Sequence, residues 1–421
     1  MKLAIFVDQF PSRSQTFVIN QIVGLLSQGV DITILSLSSK TTNSERELIA
    51  IHPELVNRTI FLLNEHGKSS KAKLYTRVMM VVKALFNQER RQRVMKALSL
   101  RLGHHGKSLL LASIASRFKH SLQFDVILCH FGYNGIVANK LSQLGVIKGK
   151  IATIFHGFDI SAKSALEKYN NDYQKLFLQT ELILPISDLW KNKLLELGCC
   201  EEKICVHRMG VDLNLFQYRK KNDYQLDMLD GVAKNMKLFT VARFSRKKGL
   251  EYVIRALKKL PKDIVFHYYL GGFGELEAEL KQLVVELKLE DKVTFLGALE
   301  QHEVTKHMLA ADVFVQPSVT ADNGDMEGVP VALMEAMAMG TPVLSTFHSA
   351  IPELINHGEH GLLAKERDYK GLAKNIETLY RDKQLVNELT KNARSKIEAM
   401  SDVEKLNLEL INKLTSISGK T

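Results

Sequence analysis

Two carboxylates with seven residues between them, one before a proline turn and one after it, carry the most specific chemistry in this sequence. Glu327-Gly328-Val329-Pro330-Val331-Ala332-Leu333-Met334-Glu335 follows the turn formers Asp322-Asn323-Gly324-Asp325 and runs on to Gly340. Proline one step inside a helix start and glycine just past its end predict a helix from about Pro330 to Met339. Glu327 then lies in the loop before the helix and Glu335 inside it. The amides of Gly328, Val329 and Val331 are unpaired donors at the positive end of the helix dipole, where a phosphate can be held. The carboxylates accept hydrogen bonds from sugar hydroxyls. Ordinary solvated glutamates beside a helix satisfy the same spacing, so the neighbouring motifs have to decide between the two readings.

Arg243-Phe244-Ser245-Arg246-Lys247-Lys248-Gly249 follows the apolar run Lys237 to Ala242 and precedes a helical pattern from Leu250 to Leu260. Arg243 and Lys248, just beyond a strand end, can clamp a diphosphate, the arginine as a planar fork and the lysine as a point charge. Gly271-Gly272-Phe273-Gly274 ends the next strand, and a turn of this kind at Gly272 lets backbone approach a nucleotide. Two histidines end apolar runs in the first half of the chain: His130 after Asp125 to Cys129, and His156 after Lys150 to Phe155. Ser14 and Thr16 fall between the strand Leu3 to Val7 and a helical pattern through Val18, Ile22, Leu25 and Leu26.

Strand, helix and strand from Leu3 to Leu35 make a right-handed unit of a parallel, doubly wound sheet. Ligands bind such sheets beyond the carboxyl ends of the strands, which is where Ser14, Thr16, His130 and His156 fall. Glu181 to Ser187 and Ile204 to His207 are expected to finish this sheet. A second set of strands runs from Lys237 to Thr346, with Asp312 to Ser318 leading into the Glu327 loop.

These segments together resemble the retaining glycosyltransferases of family 4, which have the GT-B fold of two Rossmann-like doubly wound α/β domains facing each other across a cleft. Glu327 and Glu335 match the E-x7-E motif, Arg243 and Lys248 the G-R-x4-K-G pattern with Ala242 for glycine, and His156-Gly157-Phe158-Asp159-Ile160 the H-G-x-D-I segment. Ser14-Gln15-Thr16-Phe17 is similar to S-E-T-F, with Gln15 removing the acid. Met209-Gly210-Val211-Asp212 is similar to N-G-V-D, and Ala350-Ile351-Pro352-Glu353 to G-I-P-E. The wording is closest to the colanic acid and amylovoran biosynthesis branch.

The resemblance implies transfer of a hexose from a nucleoside-diphosphate sugar, with retention, onto a lipid-linked oligosaccharide in bacterial exopolysaccharide assembly. It implies no metal and no other cofactor. Arg243 and Lys248 would bind the diphosphate, Glu327 the transferred sugar, Glu335 the ribose, and His156 the leaving phosphate and sugar face. Ser14, Thr16 and His130 would lie on the acceptor side. Four competitors remain: a sugar-nucleotide epimerase of the same fold, a transferase with a soluble acceptor, a metal site at Asp322 to Asp325, and a non-catalytic sugar-binding protein.

The domain plan that follows is 1–212 for the first domain, 213–236 for a polar linker, 237–400 for the second domain, and 401–421 for a helix crossing back to the first. With 421 residues, 45% of them hydrophobic and 24% charged, the chain can bury two cores and is not a disordered polymer. Cys129, Cys199, Cys200 and Cys205 lack the spacing of a zinc or redox site, and no long apolar run is expected to span a bilayer. Net charge is +11. Much of the excess falls in about 68–119, where Lys71, Lys73, Arg77, Lys83, Arg90, Arg91 and others face one acid, Glu89, among apolar residues at helical spacing. That pattern fits an anionic inner-membrane surface, or a helical insertion packed on its own domain. It carries no nucleic-acid motif. A cytoplasmic protein, peripheral on the inner membrane, is the expected setting.

Overall fold

The computed structural model describes residues 1–12, 15–39, 52–63, 69–98, 109–219 and 235–419. Ser14 and most of the expected linker lie outside the described residues.

Two six-stranded parallel sheets organise the chain. The first contains β1 (Lys2–Phe10), β2 (Asp31–Ser39), β3 (Thr59–Phe61), β4 (Leu122–His130), β5 (Ile147–Phe155) and β6 (Leu182–Pro185), in the order β3-β2-β1-β4-β5-β6. The second contains β7 (Met236–Val241), β8 (Phe266–Gly271), β9 (Val293–Gly297), β10 (Val313–Val315), β11 (Val343–Thr346) and β12 (Leu362–Ala364), ordered β12-β11-β10-β7-β8-β9. Renumbered within itself, the second sheet has the same 3-2-1-4-5-6 order as the first. Each sheet therefore reverses direction at one point, between β1 and β4 and between β7 and β10, and the crevice opens there.

The strands read as near-continuous apolar runs because helices cover both faces. Leu3, Ile5, Val126, Leu128, Ile154 and Phe155 belong to one core, and Leu238, Tyr268, Leu270, Val313, Val315 and Leu344 to another. Helix Val403–Ser418, capped by the Asp402 side chain, packs against helix Thr16–Ser27 of the first domain. Leu410 and Leu414 are buried in the first domain's core.

Two local expectations need correction. Ile204 to His207 forms no strand; it runs beside β6 with a single bridge to Ile183, held by Cys205 N–H to Ile183 O and His207 N–H to Pro185 O. The helix expected from Pro330 begins at Val331, and Pro330 is its N-cap with an extended ψ of 109°. Gly340 closes that helix in the left-handed region, at φ 77°.

Candidate active site

The two switch points deliver the strand ends to one region. From the first sheet, β4 ends at His130 and β5 stops one residue short of His156; both imidazoles are buried, with His130 Nδ1 and His156 Nε2 3.1 Å apart. Burial pushes His130 down to about 3 and holds His156 well below the usual histidine range. Both rings are therefore neutral at physiological pH, and one donates to the other. Phe17, beside Thr16 at the start of its helix, packs on the His156 ring at a centroid distance of 4.8 Å. Thr16 itself is exposed.

Asp159 fixes this corner. One carboxylate oxygen accepts from Gly132 N–H at 2.8 Å, and the other from His156 N–H at 3.1 Å and Gly157 N–H at 3.0 Å. Burial raises its carboxyl to about 6, against the lowering effect of those amides. Asp159 had no assigned role in the sequence reading, although it is the acid of the His156-Gly157-Phe158-Asp159-Ile160 segment.

From the second sheet, the loop after β7 carries Arg243, Lys247 and Lys248. Phe244 N–H bonds Phe273 O at 2.9 Å, so this loop lies directly on the turn after β8. A Cβ at Gly272, where φ is 122°, would lie 1.9 Å from Ala242 O, so only glycine lets the two loops approach. Arg243 is exposed and forms no ion pair among the described residues. Lys247 pairs with Asp325 at 3.0 Å, and Lys248 with Glu327 Oε1 at 2.7 Å. Lys247 was not singled out from the sequence, and no motif position marks it.

The Glu327 backbone is fixed at both its N–H and its carbonyl. Its N–H donates to His348 Nε2 at 3.1 Å, and its carbonyl accepts from Ser349 Oγ at 2.6 Å. Because Nε2 of His348 accepts, Nδ1 carries the proton and donates to Glu366 at 2.6 Å. Burial alone would raise the Glu327 carboxyl; Lys248 and Lys247 outweigh it and hold it below the usual range. His348 lies just past the end of β11, and the rule that singled out His130 and His156 would have found it too. After Glu327 the amides of Gly328, Val329, Val331 and Ala332 meet no acceptor among the described residues. Glu335 is part-buried one to two turns into the helix, and burial pushes its carboxyl up to about 7.

The halves meet at Gly328. A Cβ there would lie 2.3 Å from His156 O and 2.7 Å from Ile186 Cδ1. Glu327 and the helix start are thereby brought against His156. Three further contacts bridge the domains. Lys163 N–H bonds Asn323 O at 3.0 Å, Met326 N–H bonds Ser161 Oγ at 3.2 Å, and Glu353 accepts from Asp188 N–H at 2.9 Å and Leu189 N–H at 2.7 Å. Glu353 so caps a helix of the opposite domain, with Arg208 joining it to Asp188.

A basic loop, a carboxylate and a row of unpaired amides facing a neutral histidine pair can hold a diphosphate beside a polyol. Residues 231–396 match the family described as glycosyl transferases group 1. The putative colanic acid biosynthesis glycosyltransferase WcaL of Escherichia coli (strain K12) is 39% identical over 420 residues, covering 99% of this chain and 100% of the relative. The chain belongs to the glycosyl transferases group 1 family. The amylovoran biosynthesis glycosyltransferase AmsK of Erwinia amylovora is 39% identical over 413 residues, 94% of this chain and 95% of its own. Among solved structures, Anabaena HepE in complex with UDP and glucose superposes with a TM-score of 0.70 at 20% identity, covering 99% of this chain and 100% of that one. Likeness at that identity concerns the fold, which is GT-B. Lys248, Glu327 and Gly328 come together against His156; Arg243 and Gly272 lie on the loops after β7 and β8, and Glu335 on helix Val331–Met339.

Proposed function

We propose that this glycosyltransferase moves a hexose from a nucleoside-diphosphate sugar to a lipid-linked oligosaccharide, with retention and without a metal, in bacterial exopolysaccharide assembly. The observation that carries the reading is the Lys248–Glu327 pair beside the unpaired amides of Gly328 to Ala332, set against His156. The names of WcaL and AmsK support the exopolysaccharide setting. The UDP and glucose in the HepE complex support a nucleotide-sugar donor.

In the reaction the bond from the anomeric carbon to the β-phosphate oxygen breaks, and a bond to the acceptor oxygen forms on the same face. The acceptor proton passes to the departing phosphate. Negative charge grows on that phosphate, and preorganised donors stabilise it most in a site closed to water. Lys248, Arg243 and the helix amides supply those donors. Glu327 accepts from hydroxyls of the transferred sugar, Glu335 from the ribose, and neutral His156 bonds the sugar face or the phosphate. Lys248 exchanges part of its contact with Glu327 for the diphosphate when the donor binds. Ser14, Thr16 and His130 belong to the acceptor side, which a membrane-held glycan would reach from the first domain. The proposed contact is peripheral, on the cytoplasmic face; no helix among the described residues is long and apolar enough to cross a membrane.

A thermal-shift screen with UDP-, GDP- and ADP-sugars identifies the donor, since a ligand at 100 times its dissociation constant stabilises by about 2.7 kcal/mol. Incubating that donor with lipid-linked oligosaccharide in EDTA then tests the reaction. Transfer with an unchanged anomeric configuration is expected. Donor converted to its epimer without transfer, or activity lost in EDTA and restored by Mg²⁺, would overturn the proposal.

A further inference from the structure

We infer that the outer face of helix Ser70–Leu85, with the first turns of helix Gln88–Ala97, is a docking surface for an anionic phospholipid bilayer. The inference rests on the reading that the acceptor is held at a membrane, and deepens it by naming the face.

A helix at a protein surface normally turns its apolar stripe inward. This one does so only in part. Val81 and Ala84, with Val94 and Ala97 of the next helix, are buried with Leu111 and Ile114 in the first domain's core. Leu74, Tyr75, Val78, Met79, Val82 and Phe86 face away from that core and are exposed, Tyr75 by 68% and Phe86 by 89%. Spaced at i, i+4, i+8 and i+12 from Leu74, with Tyr75 and Met79 alongside, they form one continuous stripe. Met95, also exposed, continues the apolar character on the second helix. Scattered apolar residues on a surface need no explanation; a contiguous stripe does.

Charge selects the occupant. Lys71, Lys83, Arg91 and Lys96 are exposed on the same two helices, and residues 69–98 contain eight Lys and Arg against the single acid Glu89. Apolar side chains flanked by cations match the interface of an anionic leaflet, where the stripe sinks among acyl chains and the cations meet headgroups. A nucleic-acid backbone would satisfy the cations and leave six apolar side chains in water. A second copy of the chain would bury the stripe but bring two sets of cations together.

Co-sedimentation with vesicles tests this. The full-length protein is expected to partition onto vesicles of equal parts phosphatidylcholine and phosphatidylglycerol, less at high salt, and weakly onto phosphatidylcholine alone. Tyr75→Ser with Phe86→Ser, and separately Lys83→Glu with Arg91→Glu, should each lower partitioning on the order of 10-fold or more. Both variants should melt with wild type and consume donor at the wild-type rate with a water-soluble acceptor. Variants that partition like wild type, or wild type that sediments equally with neutral vesicles, would overturn the docking face. So would a dimer that the Tyr75 and Phe86 changes dissociate without any vesicle binding. Vesicle binding that the variants abolish, in a protein that transfers no sugar, would leave the face standing and remove the proposed function.

Discussion

Replacing Lys248 by methionine leaves Glu327 as a buried carboxylate without its nearest counter-charge. The two groups lie 2.7 Å apart, with the lysine side chain 17% and the glutamate side chain 8% exposed, so water screens the pair little. Breaking such a pair from one side costs about 3 kcal/mol at neutral pH. For a cooperative unit of this size that is roughly a 6 to 12 °C fall in Tm. The loss should depend on pH in a definite direction. In the wild type the Glu327 carboxyl is held below its ordinary value, so its contribution is present at neutral pH and fades as pH falls through the folded-state value. In Lys248→Met, burial acts with less opposition and the carboxyl rises. The variant's deficit should therefore be largest near pH 8 and shrink towards pH 5, where protonation removes the stranded charge. Adding Glu327→Gln should recover most of the stability but none of the activity, which should be down on the order of 10²-fold or more. Differential scanning calorimetry from pH 5 to 8 on the wild type, both single variants and the double variant provides the cycle. A single variant that melts within a degree of wild type at every pH would refute the pairing as a structural element.

Gly328→Ala places a methyl 2.3 Å from His156 O, so the domains must part locally. We expect kcat/KM to fall on the order of 10²-fold, the size of an ångström-scale misplacement, while Tm falls only slightly because the core atom met is the movable end of the Ile186 side chain. Glu335, raised to about 7, becomes a full acceptor only as pH rises through that value. KM for the donor should accordingly improve from pH 6 to 8, and Glu335→Gln should flatten that trend. Glu353→Ala removes a cap supplied across the domain boundary; it should cost about 1 kcal/mol in denaturant unfolding and raise KM for the donor more than it lowers kcat. His130 and His156 stay neutral throughout, so no step in the activity profile between pH 5 and 9 should vanish in His130→Asn.

The long buried strands were legible because an apolar run of five or more residues, ended by a glycine, histidine or proline, has few alternatives. β3 and β12 were not, at three residues each, too short for any periodicity to register. Ile204 to His207 shows the limit from the other direction: an apolar segment beside a sheet edge makes hydrogen bonds without becoming a strand. In the site, position at a strand end or helix start made Glu327, Lys248 and His156 candidates, and the family resemblance supplied the roles expected of them. The sequence reading missed Lys247, Asp159 and Glu366, whose roles come from partners distant in sequence or from bonds to backbone, and passed over His348 although the strand-end rule covers it. Glu353 was visible as a motif, but its hold on Asp188 and Leu189 depends on how two domains meet. The stripe from Leu74 to Phe86 was legible as a helix, while which face it turned to water depended on the packing of Val81 and Ala84.

The central claim is that Lys248, Arg243 and the amide end of helix Val331–Met339 hold a departing diphosphate opposite His156. The position of the β-phosphate in a crystal structure with a nucleoside diphosphate tests it most directly. The account predicts its oxygens about 3 Å from Lys248 Nζ and from amides between Gly328 and Ala332, with Arg243 turned onto the same group. A β-phosphate seated elsewhere, with those amides still unpaired and Lys248 still on Glu327, would contradict it.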